Sequence, residues 1–323
     1  MNEITSTPTF QDVLLARRLI SKYLPRTPLH HYPSLSKLLG GEVYVKHENH
    51  HSIGSFKVRG ALNVIAHFTE EERRQGVIIA STGNYSQAVA IACRLFNIRA
   101  LVVMPEGANP EKVEATQNLG AEVIFHGHDF EDAREHTEAL ALERGYRYIH
   151  SINEPLLVAG AATQTLEILE DLPQVEIIIA PIGGGSTAAG ACIVAKTINP
   201  QIQVIAVQAE KAPAAYLSWK ERRLVEAPVE TFAEGLATRT GYELTQEVLR
   251  QWLDDFVLVS EEELRQAIVL FIEKTHNLVE AAGAASLAAA MKIKERLQGH
   301  KVALIQSGGN ITLPSLRQIL NVR

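Results

Sequence analysis

Apolar residues in this chain gather into short, nearly unbroken runs. Between the runs lie longer stretches in which they recur at helical spacing. The runs predict strands over Val43–His47, Val77–Ser81, Arg99–Met104, Glu122–Phe125, Glu176–Pro181, Gln203–Val207, Phe256–Ser260 and Lys301–Gln306. Segments such as GVIIAS, EIIIAPIGG and VALIQSGG barely alternate, so these strands need cover on both faces. Helical spacing predicts helices over 9–22, 57–67, 84–96, 129–144, 155–170, 186–197 and 281–297. Thr69-Glu-Glu-Glu72 and Ser260-Glu-Glu-Glu263 fit the capping box, in which a hydroxyl and a carboxylate satisfy free N–H groups reciprocally. After Ser260, the residues Leu264, Ile268, Phe271 and Ile272 share one face. Alternating strands and helices predict an α/β fold with mostly parallel, open sheets flanked by helices. No repeat, low-complexity tract or Pro/Gly-rich linker divides the chain, which suggests that it leaves one domain, builds a second and returns.

Composition narrows the class. The 323 residues include 31 Lys+Arg against 37 Asp+Glu, a formal net charge of −6. That balance argues against general nucleic-acid binding, which needs a basic face. With 46% apolar and 21% charged residues, and Gly (21) and Pro (13) neither dominant nor periodic, the chain is globular rather than disordered or collagen-like. Its length allows about two domains. Cys93 and Cys192 lie in apolar small-residue runs with neither disulfide-framework nor metal-ligand spacing, which suggests a reducing compartment. The opening MNEITSTPTF carries no signal pattern, and no run of about 18 apolar residues appears, so a cytoplasmic protein without a membrane span is expected.

Three strand ends run into Gly- and Ser-bearing turns: Ser81-Thr-Gly-Asn84, Pro181-Ile-Gly-Gly-Gly-Ser-Thr187 and Gln306-Ser-Gly-Gly-Asn310. Open parallel sheets bind ligands beyond the carboxyl ends of their strands. Gly183-Gly184-Gly185, followed by Ser186-Thr187 at a helix start, suits a phosphate cradle, because backbone N–H groups can approach an anion with no Cβ in the way. A tight turn with close helix–strand packing explains the same residues. A dinucleotide fingerprint fits less well. The acidic residue expected about 20 positions on is missing from the end of the next strand, where Ala206-Val207-Gln208 stands and Glu210 comes two residues late. Ser81–Asn84 opens a helix and could hold a carboxylate, or simply cap that helix through Ser81 or Asn84.

Lys57 falls in the first turn of helix 57–67, with Ser55 as the expected N-cap. Burial and the helix dipole both disfavour an ammonium there, and a neutral amine is what Schiff-base chemistry needs. A solvated surface lysine is the ordinary alternative. His50 and His51 have no further ligand at metal spacing and read as loop residues.

Together, Gly54-Ser-Phe-Lys57-Val-Arg-Gly-Ala61, Ser81–Asn84, Pro181–Gly190, Glu234-Gly-Leu236, Val279-Glu-Ala-Ala-Gly-Ala284 and Ser307–Asn310 resemble, in order, the fold-type II pyridoxal-phosphate enzymes of the threonine/serine dehydratase and serine racemase group. The resemblance implies a two-domain, tryptophan synthase β-like fold. A large domain would combine 1–49 with 149–323, and a small mobile domain would span 50–148. Lys57 would form the internal Schiff base with pyridoxal 5'-phosphate, with Phe56 beside the ring. Asn84 would meet the cofactor's 3-hydroxyl, Gly183, Gly184, Gly185, Ser186 and Thr187 its phosphate, and Ser307 its pyridine nitrogen. Ser81, Thr82 and Gly83 would hold the substrate carboxylate.

The implied reaction is β-elimination from a β-hydroxy amino acid such as L-threonine or L-serine, with Lys57 as the base, giving a 2-oxo acid and ammonia. Serine at the pyridine nitrogen makes the ring a weaker electron sink than aspartate would, which favours elimination over a long-lived carbanion. Thr82 stands where racemases carry a catalytic serine; its hydroxyl keeps racemisation of serine or aspartate open, while its methyl should crowd proton delivery. Tyr85 replaces the usual histidine, so the substrate side chain stays open and bulkier or acidic β-hydroxy amino acids remain candidates. Gln208 and Ala214 fall where racemases place acidic metal ligands, so no metal is expected. Glu280 could belong to the site or merely start a packed helix. The short C-terminal stretch after Asn310 lacks the regulatory domain of biosynthetic dehydratases, so isoleucine feedback is not expected. A homodimer is implied by resemblance only. β-Replacement chemistry and a non-catalytic nucleotide-binding α/β protein are the other classes considered.

Overall fold

The computed structural model describes residues 7–128 and 130–321, without the side chains of Glu131 and Asn321. Residues 1–6, Asp129, Val322 and Arg323 fall within the domain, helix or leader readings made above and lie outside the described residues. Ten strands form two sheets: β1 (Leu29–His31), β2 (Glu42–His47), β3 (Val77–Ala80), β4 (Ala100–Met104), β5 (Glu122–Phe125), β6 (Arg147–Tyr148), β7 (Ile177–Pro181), β8 (Gln203–Ala209), β9 (Asp255–Val259) and β10 (Lys301–Gln306). The larger sheet has the order β1-β2-β10-β7-β8-β9, and the smaller β5-β4-β3-β6. Only the β1–β2 pairing is antiparallel. The chain thus begins the larger sheet, leaves to build the smaller one over 77–148, and returns.

The unbroken apolar runs follow from two-sided burial. Along the larger sheet, Val43, Val45, Ile177, Ile179, Val302 and Leu304 face one core, shared with helices Glu261–Thr275 and Ala281–Lys292. The alternate residues Ile178, Ala180, Val204, Ala206, Ala303 and Ile305 face a second core under helices Pro155–Asp171 and Ser186–Ile198. A third core wraps helices Lys57–Ala66 and Asn84–Leu95 around one face of the smaller sheet. Leu62, fully buried there, would cost about 2–5 kcal/mol on truncation to alanine. Both capping boxes form as the sequence predicts, at Thr69 with Glu72 and at Ser260 with Glu263.

Several local expectations need correction. The residue capping the Lys57 helix is Phe56 rather than Ser55, whose hydroxyl only reaches the Lys57 N–H at 3.4 Å. The helix expected over 281–297 stops at Lys292, and Lys294–Leu297 forms a separate 3-10 turn. Among the described residues, no helix is long and apolar enough to cross a membrane. Both cysteines are buried free thiols.

Candidate active site

The carboxyl ends of β2, β7 and β10 come together at one edge of the larger sheet. The chain leaving β2 reaches Lys57 through a 3-10 turn (Glu48–His50) and a loop that pairs with the chain leaving β10. Ser55 and Gly308 form an antiparallel bridge, Phe56 N–H donates to the Ser307 carbonyl (3.1 Å), and Gly309 N–H donates to that of Gly54 (2.9 Å). This small ladder fixes Lys57 beside Ser307.

A cleft of about 400 Å³ gathers Phe56, Lys57, Asn84, Gly183, Gly184, Gly185, Ser186, Thr187 and Ser307. These nine are all the residues assigned to the cofactor from the sequence. Pro181, Gly235, Leu236, Glu280 and Ala282 complete the lining. Gly185 sits at φ +101° and immediately precedes the helix Ser186–Ile198, which has no side-chain cap. Its first N–H groups therefore open toward the cleft with the positive end of the helix dipole behind them. A Cβ on Gly183 would strike the Gly235 carbonyl, and one on Gly184 would strike Ile152. The tight-packing reading of the triple glycine is met behind the turn, and bare backbone N–H groups are left in front of it. That is the donor set a phosphate needs.

Lys57 is half-buried, and its ammonium has no hydrogen bond or ion pair with a described residue. Its Nζ lies 5.1 Å from the Phe56 ring centroid and 6.0 Å from that of Tyr85. Burial lowers its pKa from the ordinary 10.5 to about 8, partly opposed by the charge of Glu280. Glu280 is shifted the other way, up to about 7, by burial, although the bond from Asn84 and the charges of Lys112 and Lys57 pull it down. Asn84 Nδ2 donates to Glu280 Oε1 (2.8 Å), and Asn84 Oδ1 accepts from Asn310 Nδ2 (2.7 Å). One Asn84 N–H is left to face the cleft. Glu280 and Asn310 are thus partners of a predicted site residue, though the sequence left Glu280 open and assigned Asn310 no role.

The predicted substrate residues sit differently. Ser81, Thr82, Gly83 and Tyr85 are not among the residues lining the cleft; they form the turn before Asn84, the first residue of its helix, and the second residue of that helix. Ser81 Oγ accepts from the N–H groups of Ser86 (3.1 Å) and Gly83 (3.4 Å), so it caps this helix, while its own proton stays available to a ligand. Tyr85 is buried, its hydroxyl has no hydrogen-bond partner among the described residues, and burial holds its pKa well above 10. Its ring packs in the third core, 6.0 Å from the Lys57 Nζ. His51 is no loop bystander: it is buried with Nε2 3.3 Å from Glu48.

The cleft sets a lysine amine opposite a glycine turn at the start of a helix, within a two-sheet α/β frame. The chain belongs to the family of pyridoxal-phosphate dependent enzymes, which it matches over residues 20–308, and its architecture is that of the fold-type II members. It is 40% identical over 314 residues to the L-threonine ammonia-lyase of Thermotoga maritima, covering 97% of this chain and 78% of that protein. It is 36% identical to the catabolic L-threonine dehydratase of Escherichia coli K12, over 95% and 94% of the two chains. The structure of maize serine racemase superposes with a TM-score of 0.92 at 32% identity, covering 97% of each chain. The protein is therefore a pyridoxal-phosphate-dependent enzyme.

Proposed function

We propose that this enzyme is a lyase that eliminates the β-hydroxyl of a β-hydroxy amino acid such as L-threonine or L-serine, yielding a 2-oxo acid and ammonia. The observation that carries the reading is the shielded, unpaired Lys57 amine in one cleft with the uncapped triple-glycine cradle and Ser307. The similarity to threonine ammonia-lyases over nearly the whole chain supports the same reaction class.

Pyridoxal phosphate, when bound, supplies the electron sink that acidifies the substrate's Cα–H bond. Gly183, Gly184, Gly185, Ser186 and Thr187 would hold its phosphate, Asn84 its 3-hydroxyl and Ser307 its ring nitrogen, with Phe56 against the ring. Ser81, Thr82 and Gly83 would orient the substrate carboxylate at the start of the helix Asn84–Leu95. Lys57 takes the α-proton, for which a pKa near 8 leaves a useful neutral fraction at neutral pH. The electrons of that bond form the Cα–Cβ double bond as the C–O bond breaks, and the departing hydroxide is protonated to water. Hydrolysis of the released enamine gives the oxo acid and ammonia. Ser307 offers a neutral hydroxyl where an aspartate would keep the ring protonated, so prompt elimination is favoured over a persistent carbanion.

Segment 50–148 would act as the smaller, mobile domain against 1–49 with 149–323, and the working unit would be a cytoplasmic homodimer. Racemisation is a minor second activity in this reading. The similarity to maize serine racemase and the Thr82 hydroxyl favour it, and the Thr82 methyl opposes it. The test is release of 2-oxo acid from a panel of β-hydroxy amino acids, with borohydride reduction and peptide mapping. Elimination from threonine or serine, label on Lys57 and loss of activity on the order of 10³-fold in Lys57→Ala are expected. An unchanged Lys57→Ala rate overturns the reading.

A further inference from the structure

Lys57 lies two residues before a group that the mechanism leaves unused. Arg59 is fully buried, and every N–H of its guanidinium is bonded. Nε donates to Glu48 (2.7 Å); Nη1 to Glu167 (2.9 Å) and Thr163 (3.2 Å); Nη2 to Glu167 (2.8 Å), Glu48 (2.9 Å) and Thr27 (3.3 Å). Buried Lys46 joins through Glu167 (2.7 Å) and the Thr27 carbonyl (2.6 Å). Two cations and two carboxylates, nearly sealed from water, thus neutralise one another. Burial alone would lower the Arg59 pKa, but Glu48 and Glu167 more than offset this and raise it.

The partners of Arg59 belong to the larger-sheet frame: Lys46 to β2, Glu48 to the turn after it, and Thr163 and Glu167 to helix Pro155–Asp171. Backbone packing adds to the clamp. A Cβ on Gly160 would collide with the Arg59 carbonyl, and one on Gly60 with Leu157. Farther along the same helix, Asn63 Nδ2 donates to the Leu156 carbonyl (2.7 Å), so the helix carrying Lys57 is held to helix Pro155–Asp171 well beyond its first turn.

We propose that Arg59 is a positioning residue whose buried ionic network holds Lys57 to the glycine-cradle side of the cleft. The inference rests on Lys57 being the residue that captures the cofactor.

The test separates non-covalent from covalent binding. Pyridoxamine 5'-phosphate, which has no aldehyde, reads the cradle alone; pyridoxal 5'-phosphate also reads the position of Lys57 through its visible absorbance when attached. Both are titrated into the cofactor-free full chain and its variants. Arg59→Lys keeps the charge and loses the forked contacts. Pyridoxamine phosphate affinity is expected to stay within about twofold while the covalent step weakens about tenfold or more, as for a misplaced reacting group. Thr163→Val removes one contact, serves if Arg59→Lys does not fold, and is expected to weaken capture about two- to threefold. Unchanged capture in the folded variants, or equal loss of both ligands, overturns the proposal. Failure of the unmodified chain to capture pyridoxal phosphate would instead sink the role given to Lys57.

Discussion

Asn84 and Glu280, 196 positions apart, meet through a 2.8 Å hydrogen bond from the amide to the carboxylate. The bond joins the helix that opens beyond β3 to the helix packed under the larger sheet. With Asn310 holding the other end of the amide, Asn84 has a single orientation toward the cleft. Glu280→Ala should lower kcat/KM about 10- to 100-fold, the usual worth of a hydrogen bond to a charged group. Glu280→Gln should keep most of the rate. Because Glu280 is protonated below about 7, cofactor affinity in the unmodified protein should inflect there, and the inflection should vanish in Glu280→Gln. Affinity titrations between pH 5.5 and 8.5 (about three units around that value) check both.

Lys57 should capture pyridoxal phosphate faster as pH rises through about 8, not 10.5. At pH 7 the shift provides about 300-fold more neutral amine than an ordinary lysine. The stability consequence has a definite sign. The unfolded chain binds the extra proton between about 8 and 10.5, so folding stability of the cofactor-free protein should rise with pH across that window. Denaturant midpoints of the native protein and Lys57→Met over this range should diverge, with the rise absent from the variant.

Gly185→Ala should be costly twice over. At φ +101° a side chain is strained by about 1–2 kcal/mol. The added Cβ also presses on Thr245, whose hydroxyl donates to the Gly184 carbonyl (2.8 Å). Urea unfolding should show the first loss, and titration with inorganic phosphate should show weaker anion binding than in the native protein.

Chelation is expected to leave activity unchanged. The Gln208 amide already ties the end of β8 to its neighbours, accepting from the Tyr216 N–H (3.1 Å) and donating to Thr238 Oγ1 (3.4 Å). No cluster of three metal-ligating side chains occurs among the described residues. Rates measured with excess EDTA and after adding magnesium should coincide. Loss on chelation with recovery on magnesium would refute this.

The central strands were legible because two-sided burial writes an apolar residue at every position, as in Ile177–Pro181. Two of the four edge strands were not, although β5 and β9 were. Leu29–His31 carries two exposed histidines, and Arg147–Tyr148 is two residues long, so neither shows a run. The helix Pro110–Asn118 went unread because its face is mostly polar, though Asn109 caps it and Pro110 starts it. The residues proposed to hold the cofactor show in the sequence as glycine and lysine at strand ends. Their supports do not, since Glu167 meets Arg59 and Lys46 across more than 100 positions of chain. Their one trace in the sequence is charge set among apolar neighbours, as at Lys46 in VYVKH. Tyr85 shows the same limit: its closeness to Lys57, 6.0 Å from Nζ to the ring, comes from the fold and not from spacing in the chain.

The position of β10 has a consequence for synthesis. It lies between β2 and β7, yet among the described strands it comes last in the chain. A growing chain on the ribosome carries two half-sheets with a slot between them, and the ladder that sets Lys57 beside Ser307 has no partner strand. Placement of Lys57 beside Ser307 therefore waits on residues 301–309, and a chain cut short before them would leave the loop that carries Lys57 without its ladder.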